Sequence, residues 1–137
     1  MNSKSYLLSI ICFFILFVSS AQNSNKEIVN LTQGDGLPSN ECYFIFRDSK
    51  NFLWIATDQG VIRYSGTTIT NYALSDNVVF KIKEDEVGNV WFFTKSGMLS
   101  YFQNGKVYPY QYNDSIQKYC KNLLILNAFF TKDGGIH

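Results

Sequence analysis

The chain writes one phrase twice. Phe52 to Gly66 reads FLWIATDQGVIRYSG, and Asn89 to Phe102 reads NVWFFTKSGMLSYF. The two tryptophans, Trp54 and Trp91, stand 37 residues apart. At that offset, without gaps, Leu37 meets Leu74, Asn40 meets Asn77, Ile45 meets Ile82 and Asp48 meets Asp85. Thr57 likewise meets Thr94, Gly60 meets Gly97 and Tyr64 meets Tyr101, which with the tryptophans makes eight identities in 28 columns. Ordinary residue frequencies give about two. A period of roughly 20–50 residues marks solenoids, propellers or arrays, whose units bury their apolar faces only against one another.

The pattern inside one copy selects among these. CYFIFRD, FLWIAT, VIRYSG and TITNY are short runs rich in β-branched and aromatic residues, broken at DSKN, DQG and SGT. The second copy reads VVFKIKED, NVWFFT, MLSYF and KVYPYQ, broken at EVGN, KSG and QNG. Such runs between turn residues are strands. No long 3.6-residue apolar period is present, which argues against helical repeats. Four short strands per copy make an antiparallel meander, and a four-stranded unit recurring at about 40 residues is a β-propeller blade. The expected fold is all-β: two blades and the start of a third, in an incomplete ring.

Each recurring residue then has a structural task. Trp54 and Trp91 fall on the second strand and are expected to fill the wedge between blades. Each buries some 150–250 Å², worth roughly 4–6 kcal/mol at about 25 cal/mol/Å² before entropy. Gly60 and Gly97 follow that strand, where a positive φ is expected. Asp48 and Asp85 end the first strand, where a carboxylate caps the amides of the next turn. Thr57 and Thr94 close the second strand. A residue that returns once per blade is set by blade geometry, so the two aspartates read as architecture and not as an acid–base pair. A calcium loop needs several oxygen ligands in one short segment, and DSKNF and DEVGN supply too few. No catalytic, cofactor-binding or metal-ligating residue is assigned.

The remaining features concern context. Lys4, an apolar run from Tyr6 to Val18 and the small residues Ser19, Ser20 and Ala21 read as a secretory signal cleaved after Ala21. The alternative is an uncleaved anchor, although the run is shorter than the roughly 20 residues that span a bilayer. Export leaves the pairing of Cys42 with Cys120 open. Charged residues are 17% of the chain and scattered, with a net charge of +1, so no basic stripe points to nucleic acid. Asn30-Leu31-Thr32 and Asn113-Asp114-Ser115 match the glycosylation sequon. The segment after YPYQ has no repeat counterpart and contains Asp114, Tyr119 and Lys121. LLILNAFF then reads as a buried first strand, and His137 falls in the tryptophan column. The expected organisation is a signal peptide (1–21), a lead-in (22–30), blade 1 (31–73), blade 2 (74–112), a connection (113–122) and a truncated third blade (123–137).

These residues resemble the two-component regulator propeller repeat. The likeness rests on Asp35-Gly36-Leu37-Pro38 with Asn40, the Asp48–Asn51 and Asp85–Gly88 turns, and the Leu-Trp-Ile-x-Thr and Gly-x-x-Arg-Tyr strands. Asn51 replaces the usual glycine of the turn. The resemblance implies the exported sensor region of sensor histidine kinases of the Bacteroidetes group, on the periplasmic side of the inner membrane or secreted. It also implies an extracellular ligand such as a glycan fragment, further blades, a membrane helix and a kinase in the same polypeptide, and dimerisation of the full-length protein. No cofactor, no nucleic acid and no enzyme activity of this segment are expected.

The leading functional reading is a ligand-sensing module of a two-component sensor; the alternative is a fragment of a secreted propeller enzyme of lyase or glycosidase type or a non-catalytic propeller scaffold. Two blades and a fraction cannot close a ring of four to eight. The chain is therefore expected to be a fragment or a truncated reading frame.

Overall fold

A computed structural model describes residues 30–120 together with 125, 128 and 130. The expected signal peptide, nearly all of the lead-in, and most of the third-blade start, including His137, lie outside the described residues. The chain divides into two compact units, Met1–Asn30 and Leu31–His137, and every element below belongs to the second.

Eight strands form two separate four-stranded antiparallel sheets. The first contains β1 (Cys42–Arg47), β2 (Leu53–Thr57), β3 (Gly60–Tyr64) and β4 (Ile69–Tyr72), paired in chain order. The second repeats this with β5 (Val79–Glu84), β6 (Val90–Thr94), β7 (Leu99–Gln103) and β8 (Lys106–Pro109). These are the all-β, blade-like meanders that the alternating aromatic and β-branched runs predict. Both sheets carry a bulge at the same place, between Cys42 and Phe44 and between Val79 and Lys81. The extra residues, Tyr43 and Phe80, lie with ring centroids 5.0 Å apart.

The core runs between the sheets. Trp54, Ala56 and Val61 of the first pack with Val79, Ile82, Val90 and Phe92 of the second. Trp54 is fully buried, with ring centroids of Phe102 at 4.9 Å, Phe92 at 5.4 Å and Tyr72 at 5.8 Å. It is thus the wedge between blades. Trp91 repeats the pose on the far side of the second sheet, against Tyr101, Tyr110 and Phe130. The other face of the first sheet, Ile55 and Ile62, is covered by Leu31 and Leu37 of the chain leading into β1.

The 37-residue offset does not survive the whole blade. Leu53 pairs with Tyr64, but Val90 pairs with Phe102, so from β3 onward the matching positions lie 38 apart. The cause is one turn. Thr57 pairs with Gly60 across Asp58 and Gln59, whereas Thr94 N–H donates to the Met98 carbonyl across Lys95, Ser96 and Gly97. Tyr101 accordingly takes the place of Arg63, and Tyr110 that of Tyr72. The gapless column that set Tyr64 beside Tyr101 joins residues from different structural positions.

The connection after β8 also differs from an irregular linker. Asn113–Tyr119 forms a short helix, α1. It spans seven residues and packs through Ile116 near Trp91, so it is too short to write an amphipathic period into the sequence.

Candidate functional site

An antiparallel meander sends alternate turns to opposite ends of the sheet. One end collects the β1–β2, β3–β4, β5–β6 and β7–β8 turns. The other collects the approach to β1, the β2–β3 and β6–β7 turns, the β4–β5 connection and α1.

The first end holds the recurring aspartates. Asp48 Oδ1 accepts from Lys50 N–H at 3.0 Å and Phe52 N–H at 2.8 Å, and Oδ2 accepts from the Trp54 indole N–H at 2.8 Å. Asp85 repeats this with Val87 N–H at 3.1 Å, Asn89 N–H at 2.8 Å and the Trp91 indole at 2.8 Å. Each carboxylate thus ties a turn to the wedge tryptophan of its own sheet. The turn needs a left-handed residue, supplied by Asn51 at φ 66 and by Gly88 at φ 86. Ser49 links the sheets here: its N–H donates to Glu84 Oε2 at 2.8 Å and its hydroxyl to Oε1 at 2.7 Å.

The other recurring residues are equally structural. Thr57 and Thr94 donate their hydroxyls across the following turns, to the carbonyls of Gly60 and Met98, each at 2.9 Å. Gly60, at φ 114, lies so close to β4 that a Cβ would stand 2.5 Å from the Tyr72 carbonyl oxygen. Gly97, at φ 79, closes its turn by donating N–H to the Thr94 carbonyl at 3.0 Å. Tyr64 donates its hydroxyl to the Gly66 carbonyl, and Tyr101 stacks against Trp91. Leu37 and Leu74 join the two hydrophobic clusters on either side of the first sheet. Asn77 Oδ1 accepts Leu74 N–H at 2.8 Å, while Asn40 lies exposed near Gln33. The fold distributes these positions over the core and both ends and gathers none of them into a reactive cluster.

The second end carries an open cleft of about 680 Å³. Ser75, Asp76 and Asn77 of the β4–β5 connection form one side, Lys95, Ser96 and Met98 of the β6–β7 turn another, and Gln117 of α1 the third. Its frame is hydrogen-bonded throughout. Asp76 Oδ1 accepts Val78 N–H at 3.2 Å and Oδ2 accepts Ser96 N–H at 2.8 Å. Burial pushes the Asp76 carboxyl up, but the hydrogen bonds from Ser96, Val78 and Thr94 outweigh it and hold the group below the usual carboxylate range. Lys95 N–H donates to the Val78 carbonyl at 2.8 Å, and Gln117 Nε2 to the Ser96 carbonyl at 2.7 Å. Asn113 fixes the start of α1: its Oδ1 accepts Leu99 N–H at 2.9 Å and its Nδ2 donates to the Leu99 carbonyl at 2.8 Å. That amide, part of a sequon by sequence, is engaged inside the fold. Sequence reasoning missed the cleft, because apart from Asn77 its walls come from non-repeating residues. The available signal was the reversal from Asp58 to Lys95 at matching places in the two copies.

Cys42 and Cys120 are both free thiols. Among the described residues, no three His, Cys, Asp or Glu side chains gather as a metal site.

Residues 36–59, from the approach to β1 through the β2–β3 turn, match the family model described as two component regulator propeller. This stretch is similar to the two-component regulator propeller repeat. The extracellular domain of a hybrid two component system from B. thetaiotaomicron has the same fold, with a TM-score of 0.58 at 21% identity over 78% of this chain. A virginiamycin B lyase from Staphylococcus aureus aligns with a TM-score of 0.51 at 16% identity over 74% of this chain. The chain spans 16% of the first protein and 42% of the second. At these identities both likenesses speak for the propeller fold alone. No curated protein matches the chain. The matched stretch contains both Asp48 and Trp54, so the carboxylate–indole link lies within the repeat.

Proposed function

We propose that this chain is part of an exported, ligand-sensing β-propeller in a two-component signalling protein, and that it has no catalytic chemistry of its own. The observation that carries this reading is the two-component regulator propeller match over residues 36–59, on a blade complete with its Asp48–Trp54 link. The likeness to an extracellular domain of a hybrid two component system supports it. In this reading the periplasmic ligand, a glycan fragment, is taken up by the propeller. Its binding state then passes through a membrane helix to a kinase in the same polypeptide, with dimerisation completing the unit.

A secreted propeller enzyme is the second reading, favoured by the lyase likeness. Acid–base chemistry needs a carboxylate poised near the working pH. Asp76, the carboxylate at the cleft, instead has both oxygens engaged by backbone N–H groups of Val78 and Ser96, which gives it a structural task in the turn.

The test is transcriptional. The source organism and a strain lacking this reading frame are grown on a panel of polysaccharides, and their transcripts are compared. The sensor reading expects one polysaccharide-specific gene set to lose induction in the deletion strain. Identical responses across the panel overturn it. Export is checked separately at Cys42, which is exposed: a membrane-impermeant maleimide added to cells with a permeabilised outer membrane should label it, and labelling only after lysis refutes export.

A further inference from the structure

We propose that the open face of the first sheet receives the tryptophan-bearing face of a further blade of the same polypeptide, and that Arg47 pairs there with an acidic residue directly after that blade's turn aspartate. The proposal rests on the propeller reading above and names the partner's chemistry at one contact.

The seam between the two sheets is the template. There Ile82 is 1% exposed in the cluster around Trp54, and Phe102 lies 4.9 Å from the Trp54 ring. Glu84 accepts both donors of Ser49, the N–H at 2.8 Å and the hydroxyl at 2.7 Å. Strand pairing sets Ile45, Arg47 and Tyr64 at the same places of the first sheet. Ile45 pairs with Ile55 as Ile82 does with Phe92, and Arg47 with Leu53 as Glu84 does with Val90. Tyr64 pairs with Leu53 as Phe102 does with Val90. This second set lacks the cover of the first. Ile45 is 60% exposed, and Arg47, Leu53 and Tyr64 border a groove of about 310 Å³. Leu31 and Leu37 cover Ile55 and Ile62 of this face and leave Ile45 and the groove open.

The charge at this place is reversed between the sheets. Glu84 is an acceptor and meets two donors. Arg47 offers only donors, is exposed, and has no hydrogen bond or ion pair among the described residues. Covering it without a partner would strand a buried charge, so the residue that takes the Ser49 place in the covering blade has to accept. Ser49 directly follows Asp48, and the residue that directly follows Asp85 is the exposed Glu86. Asp85 nevertheless keeps the same contacts to its turn and to Trp91 as Asp48 does to Trp54. A blade therefore carries a carboxylate at this place without disturbing its turn, and a carboxylate meets a guanidinium through two parallel N–H···O bonds.

Glu86 of a second copy does not fit the role. To reach Arg47 in the register of the seam, the Trp91 face of one copy would have to take up β1 of another. That space is filled within the chain, by Ala128 in the Trp91 cluster and by Phe130 with its ring centroid 5.2 Å from that of Trp91. The occupant is accordingly the blade that closes the ring onto the first sheet.

The experiment uses the whole polypeptide in a Cys42→Ser, Cys120→Ser background. Arg47→Cys is combined in turn with a cysteine directly after the turn aspartate of each further blade, and Ser49→Cys with Glu84→Cys is the control of the same geometry. Oxidation is expected to link position 47 to one blade alone, read as a gel shift reversed by dithiothreitol, and the native residue of that blade is expected to be Asp or Glu. Arg47→Glu should lower the melting temperature by roughly 2–4 °C, and changing the acidic partner to lysine in that background should restore it. A control link with none from position 47, a link to a blade whose native residue is neutral or basic, a polypeptide without a further blade, or a charge exchange that restores nothing overturns the proposal. A link between two polypeptides, seen as a doubled mass, assigns the face to a second copy and overturns it too. If the polysaccharide-specific transcriptional response persists while position 47 links to no blade, the closure contact falls and the sensor reading stands. If the response is absent while the link and the charge exchange hold, the reverse applies.

Discussion

Replacing Asp48 by alanine tests whether the carboxylate–indole link holds the blade together. Asp48 is 7% exposed and Trp54 is fully buried. The substitution removes three acceptor contacts of 3.0, 2.8 and 2.8 Å at once. The Lys50 and Phe52 amides border the turn and regain water, so each loses about 0.5–1 kcal/mol. The Trp54 N–H has no route to solvent. An orphaned buried donor costs about 1–3 kcal/mol, which brings the total to roughly 2–5 kcal/mol. Asp48→Asn separates the contributions: its amide oxygen still serves the turn, but the indole then faces either a second donor or a doubly used oxygen. The assay is urea unfolding of the full chain followed by tryptophan fluorescence, in a cycle with Trp54→Phe. Because Trp54→Phe removes the donor, Asp48→Ala should cost about 1–3 kcal/mol less in that background. Additive effects in the cycle, or Asp48→Ala within about 0.5 kcal/mol of wild type, refute the reasoning.

Further outcomes are expected from the same contacts. Gly60→Ala places a Cβ 2.5 Å from the Tyr72 carbonyl at φ 114 and should destabilise by about 2–3 kcal/mol or more, whereas Gly105→Ala, at φ 83 with open space around it, should cost only about 1–2 kcal/mol by the same unfolding assay. Asp76 titrates below its ordinary value in the fold. Its stabilising contribution is therefore complete above the unfolded carboxyl range and is lost as pH falls through the lowered folded value, so Asp76→Asn should lower the neutral plateau of a stability–pH profile and flatten its acid limb. Asn113→Ala removes both amide contacts to Leu99 and should raise hydrogen exchange in α1 and at Leu99 while leaving β1–β4 protected.

Much of the architecture is legible in the sequence because the repeat supplies its own control. Trp54 and Trp91, seen once each, are merely apolar, whereas seen at a fixed spacing with Asp48 and Asp85 they define a unit. The strand runs follow from short β-branched and aromatic segments between turn residues, and Asn51 at a glycine position signals a left-handed residue. What escapes is whatever occurs once. A single added residue in the Lys95–Gly97 turn shifts the register of β7 and β8, yet the chance identity of Tyr64 and Tyr101 hides the shift. The helix α1 has too few turns to show a period. Ser96 looks like any turn serine until the fold brings Gln117 of α1 to its carbonyl. The Ser49–Glu84 contact joins residues 35 apart, with no local pattern to announce it.

The carboxylate–indole link closes within six residues of one sheet, and this locality has a consequence for how such chains change. A stretch of one repeat length, duplicated or deleted as a block, carries its own fastening with it. The contact between neighbours does not travel the same way: Ser49 finds Glu84, but the residues one repeat on from Ser49 and one repeat back from Glu84 are Glu86 and Arg47. Units are therefore interchangeable in how they hold themselves and ordered in how they meet. A rearranged array would keep its folds and lose its sequence of neighbours first at that acidic contact.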